Sequence, residues 1–320
     1  ASRVEEGEDG LLHIREVEGP DEYHEGVDDN LYTNLMAAYN LRHAAKVVDL
    51  LEERWPEDLD RLREKIGLET GERDEWLETA ERIYRDGGGP GGVVEQFAGY
   101  FDLEDIDVRK YQPHTAALDT ILGRERTAAS RLVKQADVVM LLYLLEEMFS
   151  EEELRLNFIY YDRRTAHGSS LSPAIYGLVA ARLGLTREAL EYLRKAGTID
   201  LADNMGNAAG GVHVAAMGGL WQQVVMGFAG VRAREDGLFL CPRLPARWRS
   251  LEMPLAWRGC RLALRVRRNR SLEVRVEGPQ GAVVPVGILG LPPRGLEAGR
   301  IYLSRWRDGA WSDFEEGGGG

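Results

Sequence analysis

Apolar positions recur at helical spacing through roughly the first 230 residues and then switch to strict alternation. Leu31, Leu35, Ala38, Leu41, Ala45, Val48 and Leu51 fall on one broad face, which predicts a long amphipathic helix. Asp28-Asp29-Asn30 offer caps before it, Pro56 ends it, and Trp55 is expected in the core. Further helices are expected over 59–66, 73–84, 114–122, 124–133 and 136–149. Asp86 to Gly92 can only be a loop, and 93–111 reads as packed irregular chain rich in aromatics and acids. Ser172 is expected to cap a helix with Pro173 at its first position and Gly184 at its end. Thr186 caps the next, and Gly210-Gly211 open the last, Val212 to Ala229.

Leu262, Leu264 and Val266 alternate with arginines, and Leu272, Val274 and Val276 alternate again after Arg268-Asn269-Arg270. That pattern predicts a hairpin with one buried face. A strand around Met253, Leu255 and Trp257 precedes it. The expected division is a helical domain over 1–233, a small β domain over 234–290, and a partly disordered tail over 291–320. Antiparallel helices of this length suit either a bundle or an α/α barrel, and the pattern does not choose.

Composition narrows the function classes. The net charge of −13 argues against nucleic-acid binding, which wants a basic stripe. Cys241 and Cys260 sit in apolar or strand-like surroundings and read as buried thiols, not as a metal site. No apolar run approaches the ~20 residues of a membrane span and no signal-peptide pattern is present, so the cytoplasm is the expected compartment.

Four stretches carry candidate chemistry. Gly19-Pro20-Asp21-Glu22-Tyr23-His24-Glu25 delivers three carboxylates and an imidazole on one turn. Alone, such a turn is a solvated loop; the alternative is that Glu22 stands at the mouth of a helical scaffold as a proton donor. For Asp21, Tyr23 and His24 the favoured reading is hydrogen bonding that shapes the turn. Lys134-Gln135 lead into an apolar helix, where a lysine opposes the helix dipole. Ser169-Ser170 precede a helix start, a place where backbone N–H groups attract anions. His213 follows Gly210-Gly211, and on its own reads as a packed helix histidine.

Together and in this order, these motifs resemble glycoside hydrolase family 65, over about Gly10 to Gly278. That family contains the inverting maltose, kojibiose, nigerose and trehalose phosphorylases. The resemblance implies the latter part of a six-hairpin α/α barrel followed by a C-terminal β-sandwich. It implies Glu22 as the general acid, Lys134 and Gln135 as ligands of the glucosyl unit, and Ser169, Ser170 and His213 as the phosphate site. Inorganic phosphate is then a co-substrate, no other cofactor or metal is expected, and the partners are an α-glucoside disaccharide, phosphate and a second copy of the full-length chain. An acid must be neutral near pH 7 to give a proton, and Asp21 and Glu25 are expected to supply the charge that keeps it so.

An inverting hydrolase needs a second carboxylate to activate water, whereas phosphate is already an anionic nucleophile. The loop Asn207-Ala208-Ala209-Gly210-Gly211-Val212 holds no carboxylate, which disfavours hydrolysis. It also lacks the Thr and Lys that family phosphorylases often place there. An inverting hydrolase with its base elsewhere, or a non-catalytic carbohydrate-binding module, remain the alternatives. The family's β-sandwich and first barrel helices, including a Trp-Asp pair that grips the sugar, find no match here, so the chain reads as the C-terminal portion of a longer enzyme.

Overall fold

A computed structural model describes residues 3–85, 88–111 and 118–317. The chain divides into two compact units, Ala1–Gly168 and Ser169–Gly320.

The first unit opens with a short antiparallel pair, β1 (Glu5–Glu6) and β2 (Leu12–His13). The signature turn follows, then α1 (Leu31–Arg54), capped by Asn30 Oδ1, which accepts the Thr33 N–H at 2.9 Å. After it come α2 (Pro56–Ile66) and α3 (Glu72–Arg82). Ala38 of α1 and Ala80 of α3 are fully buried with Leu12 and Ile83 between the two helices. Trp55, expected in the core, is 49% exposed. It occupies the one-residue junction between α1 and α2, where its backbone is non-helical.

The segment 124–133 departs most from its helical expectation. Only α4 (Leu118–Leu122) and α5 (Arg124–Ala128) are helical; residues 114–117 lie outside the described residues. Beyond Ala129 the backbone is claimed by distant partners. Arg131 N–H donates to the Glu104 carbonyl at 2.8 Å and Val133 N–H to the Arg164 carbonyl at 2.9 Å. The apolar helix after Lys134 is also shorter than expected: α6 is Val138–Leu144, with a 3₁₀ turn at Glu146–Met148. α7 (Glu151–Asp162) starts at a capping box between Ser150 and Glu153.

The second unit begins with a helical hairpin, α8 (Ser172–Arg182) and α9 (Thr186–Gly197), turned by Gly184 at φ 76°. Pro173 is the second residue of α8 and Leu171, not Ser172, is its cap. α8 is buried from Ser172 to Ala181, whereas α9 buries only Ala189, Tyr192 and Ala196 along one stripe. The former is therefore an inner helix and the latter a surface one. α10 (Val214–Gln222) runs into a π-helical turn, Gln223–Phe228. A Cβ on Gly219 would sit 2.7 Å from the Ala174 Cβ, and one on Gly227 3.2 Å from the Ala181 Cβ. The contacts advance together along both helices, so α8 and α10 run parallel and start at the same end.

Strands follow. One sheet, ordered β11-β10-β7-β6-β5, contains β5 (Ser250–Trp257), β6 (Cys260–Arg267), β7 (Ser271–Glu277), β10 (Ile301–Arg307) and β11 (Ala310–Trp311); β12 (Glu315–Glu316) pairs β10. The other is β3-β4-β8-β9: Arg232–Ala233, Leu238–Leu240, Val283–Ile288 and Arg294–Glu297. The β6–β7 hairpin pairs Leu262 with Val276, Leu264 with Val274 and Val266 with Leu272, all buried. Residues 294–316, expected in a tail, form strands, because Leu296 and Phe314 are fully buried and Tyr302 nearly so. Gly318–Gly320 lie outside the described residues. Both cysteines are free thiols, Cys260 buried and Cys241 partly so.

Candidate active site

Gly19 lies at the foot of the signature turn. A Cβ there would come within 2.5 Å of Asn30 Nδ2 and would strike the Asp137 carboxylate as well, so only glycine fits. Asp21 turns into the interior and is 1% exposed. Its carboxylate collects four donors. Oδ1 accepts the backbone N–H of Tyr23 at 3.2 Å and of Lys134 at 2.8 Å. Oδ2 accepts Gln96 Nε2 at 2.9 Å and His24 Nδ1 at 2.7 Å. His24 Nε2 donates to the Ser130 carbonyl at 2.8 Å. Both ring nitrogens therefore face acceptors, which calls for the imidazolium. Burial opposes that charge, but the Asp21 carboxylate and the Ser130 carbonyl outweigh it, and the pKa of His24 is raised.

Asp137 faces the turn from the mouth of α6. Its Oδ2 accepts the Asp21 N–H at 3.3 Å and Asn30 Nδ2 at 3.1 Å. Burial, and then the Asp21 charge, push its pKa up to about 7. Tyr23 packs against the cluster of Ile106, Val108, Leu118, Leu132 and Ala166. Burial, with Asp119 adding, pushes its phenol up to about 12. Asp21, Tyr23 and His24 thus hold the turn in place.

Glu22 points the other way, its side chain 48% exposed. Lys134 Nζ donates to Glu22 Oε2, and Gln135 Nε2 lies 3.4 Å from Oε1 while also donating to the Pro20 carbonyl. Residues 112 positions apart are brought together at one point. They border a cavity of about 560 Å³ whose lining includes Glu18, Glu25, Asp119 and Arg124. Asp21, expected to charge the surroundings of Glu22, has both oxygens committed elsewhere. The group set directly on Glu22 is a cation.

In the second unit, Ser169 and Ser170 are partly exposed just before α8, and Ser169 Oγ accepts the Leu171 N–H at 3.3 Å. His213 is the cap residue of α10 and not part of its first turn, because Ala208–Gly210 form a separate 3₁₀ turn and Gly211 takes φ 128°. Since α8 and α10 are parallel, the serines and His213 stand at the same end of the two helices. Asp200 clamps the histidine: Oδ1 accepts Nδ1–H at 2.5 Å and Oδ2 accepts the backbone N–H at 3.1 Å. His213 holds the Asp200 carboxyl below its usual range. This leaves Nε2 as the ring nitrogen free of that clamp, in a fixed orientation.

The sequence gives little warning of Asp200, Asn30 or Gln96 as members of these clusters. Asp137 carries a faint signal, an acid opening an apolar helix. Among the described residues no group of three or more His, Cys, Asp or Glu side chains is placed to hold a metal ion.

The buried groups fix a pH dependence. His13 is bonded to Asp29 at 2.6 Å and Asp9 at 3.1 Å; the Asp29 bond, against burial, raises its pKa. His13, His24 and Asp137 all bind a proton more tightly folded than unfolded. Their contributions are present below the unfolded pKa and lost as pH rises through the folded value. For Asp137 that window runs from 3.8 to about 7, and for both histidines it starts at 6.5 and extends upward. The melting temperature should therefore be lower at about pH 8 than at about pH 6, with a shallower drop in His24→Gln. A melting temperature that rises across this interval contradicts the assignment.

The family model of the glycosyl hydrolase family 65 central catalytic domain matches residues 1–222, and that of the family's C-terminal domain matches residues 231–288. The chain belongs to glycosyl hydrolase family 65. Within family 65 it is 38% identical over 272 residues to the kojibiose phosphorylase of Halothermothrix orenii, covering 84% of this chain and 35% of that one. It is 38% identical over 247 residues to the 1,2-alpha-glucosylglycerol phosphorylase of Bacillus selenitireducens, covering 75% and 32%. The chain thus spans about a third of the length of these curated relatives. A solved structure named "Putative kojibiose phosphorylase from human microbiome" has the same fold, with a TM-score of 0.83 at 24% identity over 95% of this chain and 43% of the other. No helix among the described residues is long and apolar enough to cross a membrane.

Proposed function

We propose that this chain carries part of the machinery of an inverting α-glucoside phosphorylase, which splits an α-linked glucose disaccharide with phosphate to give β-glucose 1-phosphate and the free sugar. The observation that carries the reading is the meeting of Glu22 and Lys134 on a sugar-sized cavity, with Gln135 beside Glu22. In this reading Glu22 protonates the glycosidic oxygen as the bond breaks. A bound sugar takes over the Lys134 donor, which now rests on Glu22, and Gln135 donates to and accepts from hydroxyls.

Phosphate is the nucleophile. Ser169, Ser170 and His213, at the starts of two parallel helices, offer donors and the positive end of the dipoles. The loop from Asn207 to Val212 has no carboxylate to activate water. The nearby acids are engaged, Asp200 by His213 and Asp203 by the Ala208 N–H at 2.9 Å. Two relatives named as phosphorylases add to this support. Their names differ in the group attached to glucose, so the acceptor is left open within the class.

The same reading takes the helices as part of a six-hairpin α/α barrel, with a β-sandwich beginning near residue 234, in a cytoplasmic enzyme that pairs with a second copy at full length. Its test is whether turnover of an α-glucoside requires inorganic phosphate.

A further inference from the structure

The turn that carries Glu22 and the segment that carries Lys134 are fastened to each other twice, in opposite senses. The Asp21 side chain accepts the backbone N–H of Lys134 at 2.8 Å. The Asp137 side chain accepts the backbone N–H of Asp21 at 3.3 Å. Each carboxylate, one residue before Glu22 and three after Lys134, thus grips the other's strand by its backbone. Both are 1% exposed, and Gly19 leaves the space in which the two segments close.

We propose that Asp21 and Asp137 form a reciprocal clasp, as positioning residues that hold Glu22 and Lys134 in register. The clasp deepens the phosphorylase reading and rests on it for its kinetic consequences alone.

The two carboxylates are not equivalent. Asp21 uses both oxygens, for four N–H donors. An asparagine there would turn an NH₂ group toward two of those donors, leaving buried groups unsatisfied. Asp137 uses only Oδ2; its Oδ1 has no partner among the described residues. An asparagine there keeps the accepting oxygen and places its NH₂ where no donor waits. The charged or titratable groups facing Asp137 are Asp21, His24 and Tyr32. Ionising Asp137 beside the Asp21 carboxylate sets like charges together across the clasp, and the asparagine abolishes that repulsion.

The experiment compares Asp21→Asn, Asp137→Asn and Gln96→Met by hydrogen exchange of the backbone amides and by kinetics in a chain of the relatives' full length. Asp21→Asn should speed exchange at Lys134 and Tyr23 by about tenfold or more. It should lower kcat by about 10–100-fold, the scale of a misplaced catalytic group, on a disaccharide and on glucosyl fluoride alike. The KM for phosphate should stay put. Gln96→Met removes one of the four donors without burying a new one, and should act in the same direction by about 3–10-fold. It keeps the test decisive if Asp21→Asn does not fold. Asp137→Asn should keep kcat within about threefold and make the fall in melting temperature between about pH 6 and about pH 8 shallower.

Unchanged exchange at Lys134 in folded Asp21→Asn or Gln96→Met overturns the clasp whatever reaction the protein catalyses. So does an Asp137→Asn variant as damaged as Asp21→Asn. Faster exchange together with no phosphate-dependent turnover in the wild type upholds the clasp and overturns the phosphorylase reading instead.

Discussion

Glu22→Gln, in a chain of the relatives' full length, is expected to lose activity on disaccharides by about 10²–10⁴-fold, the usual worth of a positioned proton donor. A sugar is a poor leaving group unless its oxygen is protonated as the bond breaks. Fluoride needs less help, so glucosyl fluoride should be turned over with a much smaller loss. The fold supports this division. Of the turn's charged side chains, Asp21 and His24 are locked inside, whereas Glu22 opens onto the cavity beside Lys134 and Gln135. The glutamine removes the proton and preserves the shape, so the Gln135 contact and the turn survive. Equal loss on both substrates would mean that Glu22 shapes the site and does not donate the proton.

His213→Ala is expected to raise the KM for phosphate by roughly 10–150-fold, the equivalent of about 1.5–3 kcal/mol for a hydrogen bond to a charged group. The KM for the sugar should move far less. Asp200 fixes the ring through Nδ1; in the proposed role Nε2 faces the anion, and it donates there only when both ring nitrogens carry a proton. Asp200→Asn should therefore shift the same constant in the same direction, though less, since the donor stays and only its orientation and charge support weaken. A phosphate KM that His213→Ala leaves unchanged removes the imidazole from the anion site.

Local pattern made some of this legible and left the rest hidden. The β6–β7 hairpin is readable because a period of two places Leu262, Leu264 and Val266 opposite Val276, Val274 and Leu272 on one buried face. α1 is readable because its apolar face and its Asn30 cap agree. Residues 129–133 have helical composition, yet Glu104 and Arg164 take their backbone groups, and nothing nearby in sequence announces those partners. Trp55 shows the opposite error: an apolar side chain whose helix ends before it can be buried. The roles of Glu22, Lys134 and Gln135 entered through a family resemblance, and their meeting point became visible only once the fold joined residues more than a hundred positions apart. The same is true of Asp21 and Asp137, at a separation of 116. Asp200 has no sequence signal at all, since an acid after a helix is usually solvated.

The most direct measurement is product analysis of α-linked glucose disaccharides incubated with a chain of the relatives' full length, with and without inorganic phosphate. Phosphorolysis at the proposed site requires turnover that depends on phosphate and yields β-glucose 1-phosphate with inversion. Sustained release of glucose in phosphate-free buffer, unchanged when phosphate is added, would contradict it and point to a water-activating carboxylate outside the loop from Asn207 to Val212.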